Sequence, residues 1–137
     1  MTTYKILVID DDPMVLDTAA ELLESEGFAV VRAGSGREGV ALARTEQPHL
    51  ILLDFDMPEM GGVAVIRALR AEPSTATIPA VALTAATAAA ANKLIAAGCV
   101  GYIPKPVTNP EFSRVVADII KETVARVRPI GGHVGGP

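Results

Sequence analysis

Short apolar runs, each too brief to be a helix and each followed by a stretch with helical spacing, constrain this chain more than any other feature. Tyr4 to Ile9 is the first such run, and it stops abruptly at three consecutive acids, Asp10, Asp11 and Asp12. That is the pattern of a buried strand with a charged exit. Asp12 followed by Pro13 supplies an N-cap and an N1 proline, after which Val15, Leu16, Ala19, Leu22 and Leu23 recur at helical spacing until Gly27 ends the pattern. The alternation then repeats, with strands at Phe28 to Ala33 and Leu50 to Leu53 and helices at Gly36 to Glu46 and Val63 to Arg70. A fourth strand, Pro79 to Leu83, precedes an alanine-rich helix from Ala85 to Ala97 that Gly98 closes, and Val100 to Ile103 is a fifth strand. The last helix begins at Asn109-Pro110, again cap and N1, and sets Phe112, Val115, Val116, Ile119 and Ile120 in one apolar stripe facing the sheet.

Strands that are apolar on both faces and alternate with helices imply a parallel sheet covered on both sides by right-handed crossovers, a doubly wound α/β domain. A chain of 137 residues fits the five-stranded flavodoxin-like order 2-1-3-4-5, in which strands one and three lie side by side where the winding reverses. Ligands of such sheets bind beyond the carboxyl ends of the strands at that point. Residues 1–128 make one domain, and the glycine-rich segment 129–137 reads as a flexible tail.

The charge balance then removes several function classes. Twelve Lys and Arg against 16 Asp and Glu leave a net charge of -4, the wrong sign for a nucleic-acid footprint, so no direct nucleic-acid contact is expected. No apolar run approaches the roughly 18 residues needed to span a bilayer, and the N-terminus lacks a signal-peptide pattern. We therefore expect a soluble cytoplasmic protein with no membrane partner. Cys99 is the only cysteine, which excludes an intramolecular disulfide and a Cys-based zinc site. It reads as a small buried hydrophobe. Neither His49 nor His133 has neighbours in sequence that would make it a metal ligand or a general base.

Under this topology the strand exits bring Asp10, Asp11, Asp54, Thr84 and Lys105 to one edge. Carboxylates crowded together either take up protons at raised pKa or bind a hard cation through oxygen. Mg²⁺ suits an open acidic cleft, because it keeps several waters and accepts few protein carboxylates beside phosphate oxygens. Lys105 can neutralise a phosphoryl oxygen and Thr84 can donate a hydroxyl hydrogen bond to one. A carboxylate so placed can attack phosphorus itself, and we assign that attack to Asp54, which closes the central third strand, with Asp10 and Asp11 holding the metal. Asp12 reads as a helix cap.

Four pieces, Lys5-Ile-Leu-Val-Ile-Asp-Asp-Asp-Pro13, Leu53-Asp-Phe-Asp-Met-Pro-Glu-Met-Gly61, Leu83-Thr-Ala85 and Tyr102-Ile-Pro-Lys-Pro106, occur in order at the ends of strands one, three, four and five. Together they resemble the receiver domain of response regulators, the CheY-like family, over nearly the whole chain up to about Arg128. The wording around Gly98-Cys99 and Tyr102 to Pro106 looks most like single-domain or hybrid-kinase-associated receivers. The resemblance implies Asp54 as phospho-acceptor, Asp10 and Asp11 as acidic metal residues, and the backbone carbonyl of Asp56 as a further ligand to Mg²⁺, with Mn²⁺ as its substitute. It implies Thr84 and Tyr102 as a switch pair, Lys105 as the phosphate-contacting cation, and a cis peptide bond before Pro106. The implied donor is a phosphohistidine on a histidine kinase or histidine phosphotransfer protein, and the implied output is a changed surface around the fourth helix, fifth strand and fifth helix, offered to a downstream protein. In the family, the side chains two residues after the acceptor and two after the threonine, here Asp56 and Ala86, tune hydrolysis of the acyl phosphate.

Two other function classes compete. A haloacid-dehalogenase-like phosphatase would use Asp54 and Asp56 as nucleophile and acid, but that family carries its Asp-x-Asp on the first strand, and no cap insertion is present here. A dinucleotide site would use Gly34-Ser-Gly36-Arg-Glu-Gly39, yet this segment follows the second strand at the sheet edge, and Ser35 with Glu38 forms a capping box that accounts for it.

Overall fold

The structure, a computed structural model, describes residues 3–55, 57–84, 88–107 and 111–125. Five parallel strands, β1 (Lys5–Ile9), β2 (Ala29–Ala33), β3 (Leu50–Asp54), β4 (Ala80–Thr84) and β5 (Gly101–Pro104), form one sheet in the order β2-β1-β3-β4-β5. This is the flavodoxin-like order the sequence predicts. Between and after them run α1 (Pro13–Ser25), α2 (Gly36–Glu46), α3 (Gly62–Ala71), α4 (Ala88–Ala97) and α5 (Glu111–Ile120).

Strand periodicity divides the core into two layers. Ile6, Val8, Leu50, Leu52, Val81, Leu83 and Ile103 pack with Ala19 and Leu23 of α1 and Phe112, Val116 and Ile120 of α5. Leu7, Ile9, Ile51, Leu53, Ala80 and Ala82 point the other way, onto Ala43 of α2 and Val65, Ile66 and Leu69 of α3. Each fully buried Leu or Ile of the central strands contributes roughly 1.5–3 kcal/mol. Parity also aims the residues at the strand ends. Asp10 and Asp54 continue the α1/α5 face, whereas Thr84 and Tyr102 alternate onto the α3 face.

The glycines of α2 serve helix packing. Ser35 Oγ accepts the Glu38 N–H at 3.1 Å and Glu38 Oε1 reaches back to accept the N–H of Gly34, the residue before the cap, at 2.7 Å, a variant of the capping box. A Cβ on Gly39 would lie 2.4 Å from Ile9 Cδ1 and one on Gly36 2.7 Å from the Met60 carbonyl oxygen, so close packing of α2 against its neighbours accounts for both glycines. Ile9 is fully buried and has nowhere to retreat. Gly39→Ala is therefore expected to destabilise the fold by about 1–3 kcal/mol, measured as a shift in the urea midpoint at constant slope.

Several sequence expectations need correction. β1, β2, β4 and β5 begin one residue later than read from apolarity, and β3, β4 and β5 each extend one residue further, because ladder hydrogen bonds to the neighbouring strand define the ends rather than hydrophobicity. Val115 leaves the predicted stripe at 39% exposure; only Phe112, Val116 and Ile120 reach the core, with Ile119 partly buried. After Ile120 the helix widens into a π-helical turn, Lys121–Ala125. His49 is knitted into the sheet: its Nδ1 accepts the Lys5 N–H at 3.0 Å and its ring meets Tyr4 edge-on. The predicted start of α4 at Ala85, the Asn109-Pro110 cap and the tail 129–137 lie outside the described residues. No helix among the described residues is long and apolar enough to cross a membrane.

Candidate functional site

The adjacent exits of β1 and β3 hold the chemistry. Asp10 is fully buried, Asp54 is 5% exposed, and Asp11 turns outward to solvent. Carboxylate oxygens of Asp10, Asp11 and Asp54 nevertheless all lie within 4.8 Å of one another. Lys105, delivered just past β5 by the Lys105 N–H to Thr84 carbonyl bond at 3.0 Å, sends its ammonium between the two buried acids. Its Nζ donates to Asp54 Oδ1 at 3.0 Å and stands 2.9 Å from Asp10 Oδ2. The second approach is a charge contact without the direction of a hydrogen bond, so Asp10 Oδ2 is buried with lone pairs that no donor is aimed at. Asp10 Oδ1 accepts the Asp12 N–H at 2.9 Å, which fixes the carboxylate, and Asp12 in turn caps α1 through Met14 N–H at 2.9 Å.

Three carboxylates against one ammonium leave the rim negative. Burial pushes the Asp54 carboxyl above the usual carboxylate range; the Lys105 bond opposes this, and the charges of Asp10 and Asp11 add to the rise. Burial works against the Lys105 charge, but the close Asp10 and Asp54 carboxylates, through contact and negative charge, outweigh it and hold its pKa up. The donor set is oxygen only, with one poorly satisfied buried oxygen, which fits a hard divalent cation such as Mg²⁺.

The raised Asp54 pKa has a stability consequence. A group whose folded pKa exceeds its unfolded value stabilises at low pH, and that contribution is lost as pH rises through the folded value. At pH 7 and without divalent ions, Asp54→Asn is therefore expected to raise the thermal midpoint by about 2–5 °C. The advantage should vanish as pH falls toward the ordinary carboxylate range near 4, a profile that scanning calorimetry in EDTA across pH would read.

The remaining predicted residues sit around this cluster. Thr84 is buried at the end of β4, Tyr102 is 46% exposed on the edge strand and does not join the carboxylates, and the Lys105–Pro106 peptide is cis. Asp56 lies outside the described residues. Cys99 is buried, with burial pushing its thiol up to about 11. A feature the sequence reading missed is a groove of about 420 Å³ between α1 and the turn after β5, lined by Asp12, Met14, Val15, Thr18 and Lys105 to Val107. The signal for it was Met14, an apolar residue off the buried helical stripe, 76% exposed beside the acids.

A family model described as the response regulator receiver domain matches residues 6–117. The polar-differentiation response regulator DivK of Brucella ovis is 31% identical over 115 residues, spanning 83% of this chain and 94% of that protein. Among solved structures, the chemotaxis response regulator CheY4 of Vibrio cholerae superposes with a TM-score of 0.80 at 28% identity, over 87% of this chain and 99% of that one. A response regulator from Desulfuromonas acetoxidans gives a TM-score of 0.78 at 31% identity, over 87% and 98%.

Proposed function

The chain belongs to the response regulator receiver family of two-component signalling, and on that premise we propose that it is a switch whose phospho-acceptor is Asp54. The observation that carries this reading is the Lys105 ammonium drawn between Asp54 Oδ1 and Asp10 Oδ2 at 3.0 and 2.9 Å, beside a third carboxylate. An Asp54 oxygen forms a bond to phosphorus as the P–N bond of a donor phosphohistidine breaks, and the electron pair leaves with the imidazole nitrogen, which takes a proton from solvent. Mg²⁺ or Mn²⁺ held by Asp10, Asp11 and Asp54, with the carbonyl of Asp56, would supply neutralisation of the phosphoryl oxygens. Burial of Asp54 keeps its oxygen weakly hydrated, so less water must be stripped before attack. Asp10 stays oriented by the Asp12 N–H and leaves the bond-making to Asp54.

Once Asp54 carries the phosphoryl group, the local charge and oxygen count rise, and Lys105 exchanges a carboxylate partner for phosphoryl oxygens. Thr84 at the adjoining strand end and Tyr102 on the same face of the sheet form the switch pair that reports the change toward α4 and α5. The donor partner is a histidine kinase or histidine phosphotransfer protein, which reaches Asp54 past the groove beside Met14. The receiving partner is a protein effector.

Mixing the chain with a radiolabelled phosphohistidine protein tests this reading. Label should move to the chain as an alkali-labile acyl phosphate, one group per molecule. Many turnovers on a small phosphate ester would instead favour the phosphatase chemistry of Asp54 and Asp56.

A further inference from the structure

Arg70, near the C-terminal end of α3, has a role that the phosphorylation chemistry leaves unused. Its guanidinium is half-buried and donates to carbonyl oxygens: Nη1 to Thr75 and Ala76 at 3.3 and 3.1 Å, and Nη2 to Gly98 at 3.2 Å. The first two lie in the loop before β4. Gly98 is the residue on which α4 ends, its N–H bonded to Ile95 carbonyl at 3.0 Å, so Arg70 places a cation at the negative end of the α4 dipole. Gly98 adopts φ +132°, and a Cβ there would lie 3.2 Å from both Arg70 Nε and Ile66 Cγ2, which shows how closely the helix end is seated against α3.

The loop is tied down independently. Thr75 Oγ1 donates to the Leu69 carbonyl at 2.7 Å, and Arg44 of α2 grips Glu72 through two bonds of 2.7 and 2.9 Å. By contrast, Ala89, Asn92, Lys93, Ile95 and Ala96 of α4 are exposed, and Ala97, at the fastened end, is partly buried against the core. One end of α4 is therefore fastened through Arg70, while its other end follows Thr84 at the acidic rim.

We propose that Arg70 is the pin on which α4 turns: it fastens the C-terminal end of the helix to α3 and the loop before β4, so that rearrangement at the rim displaces the N-terminal end and leaves Gly98 and Cys99 in place. The displacement rests on the proposed acceptor role of Asp54; the fastening does not.

Cys99 reports the fastened end directly, because it is 5% exposed, is the only cysteine and follows Gly98. Its thiol reacts with a disulfide reagent only when that end opens. In the metal-free protein, Arg70→Leu is expected to label at Cys99 about tenfold faster or more, with Arg70→Lys in between, both normalised to amide exchange in β3 so that global unfolding is separated from local release. Wild type with Mg²⁺ and beryllofluoride should keep its slow labelling while amide exchange changes over residues 88–92 and not over 98–100. Equal labelling of Arg70→Leu and wild type, or beryllofluoride-driven labelling of wild type at the Arg70→Leu rate, would overturn the pin. If beryllofluoride alters exchange nowhere, the acceptor role of Asp54 fails, and with it the turning of α4, while the metal-free comparison still decides the fastening.

Discussion

Asp54→Ala is expected to lose modification by acetyl phosphate with Mg²⁺ to below detection, a drop of about 10³-fold or more, while the wild type gains one phosphoryl group by intact-mass spectrometry. Neighbouring acids should not substitute. Asp10 is fully buried, and its carboxylate is held in place by the Asp12 N–H on Oδ1. Asp11 is exposed, so water competes for its oxygens more than for those of the buried Asp54. Asp54 combines a buried carboxylate, a position at the central strand exit and a lysine contact 3.0 Å away. Asp54→Asn supplies the control for folding, since it keeps the shape and is expected to raise the thermal midpoint. Persistent modification of Asp54→Ala at Asp11 or elsewhere, or modification without a divalent ion, would remove Asp54 from its assigned role.

The exits of β1 and β3 were legible because their signal is local and chemical: apolar runs that stop at carboxylates, in an order that the rules of parallel sheets convert into adjacency. The start of α2 was legible too, since Ser35 and Glu38 mark it. What escaped is carried by backbone carbonyls, which have no residue identity to read. Arg70 looks like a surface cation at a helix end, yet its partners are carbonyls 5, 6 and 28 residues away. The imidazole of His49 similarly bonds a backbone N–H 44 residues distant. Val115 was misplaced for a different reason: a five-residue stripe is wider than the contact α5 makes with the sheet, so its margin stays in solvent.

Lys105→Ala should strengthen Mg²⁺ binding even as it removes the cation that would meet the phosphoryl group. The ammonium stands 2.9 Å from Asp10 Oδ2 and 3.0 Å from Asp54 Oδ1, where it neutralises the oxygens a divalent ion would use. Two unit charges about 4 Å apart interact by roughly 4 kcal/mol at an effective dielectric constant near 20, and Lys105 retains some contact with solvent, so only part of that is recovered. A tenfold to hundredfold lower Kd, about 1.4–2.8 kcal/mol, is the expected gain by isothermal titration calorimetry. Without divalent ions the same variant should melt below wild type, because three carboxylates then face one another with no cation among them. Added Mg²⁺ should close that gap, since the ion stabilises the folded variant in proportion to its tighter binding. Unchanged or weaker Mg²⁺ binding would mean that the lysine and the ion occupy the rim side by side, with Lys105 already turned toward the place the phosphoryl oxygens take.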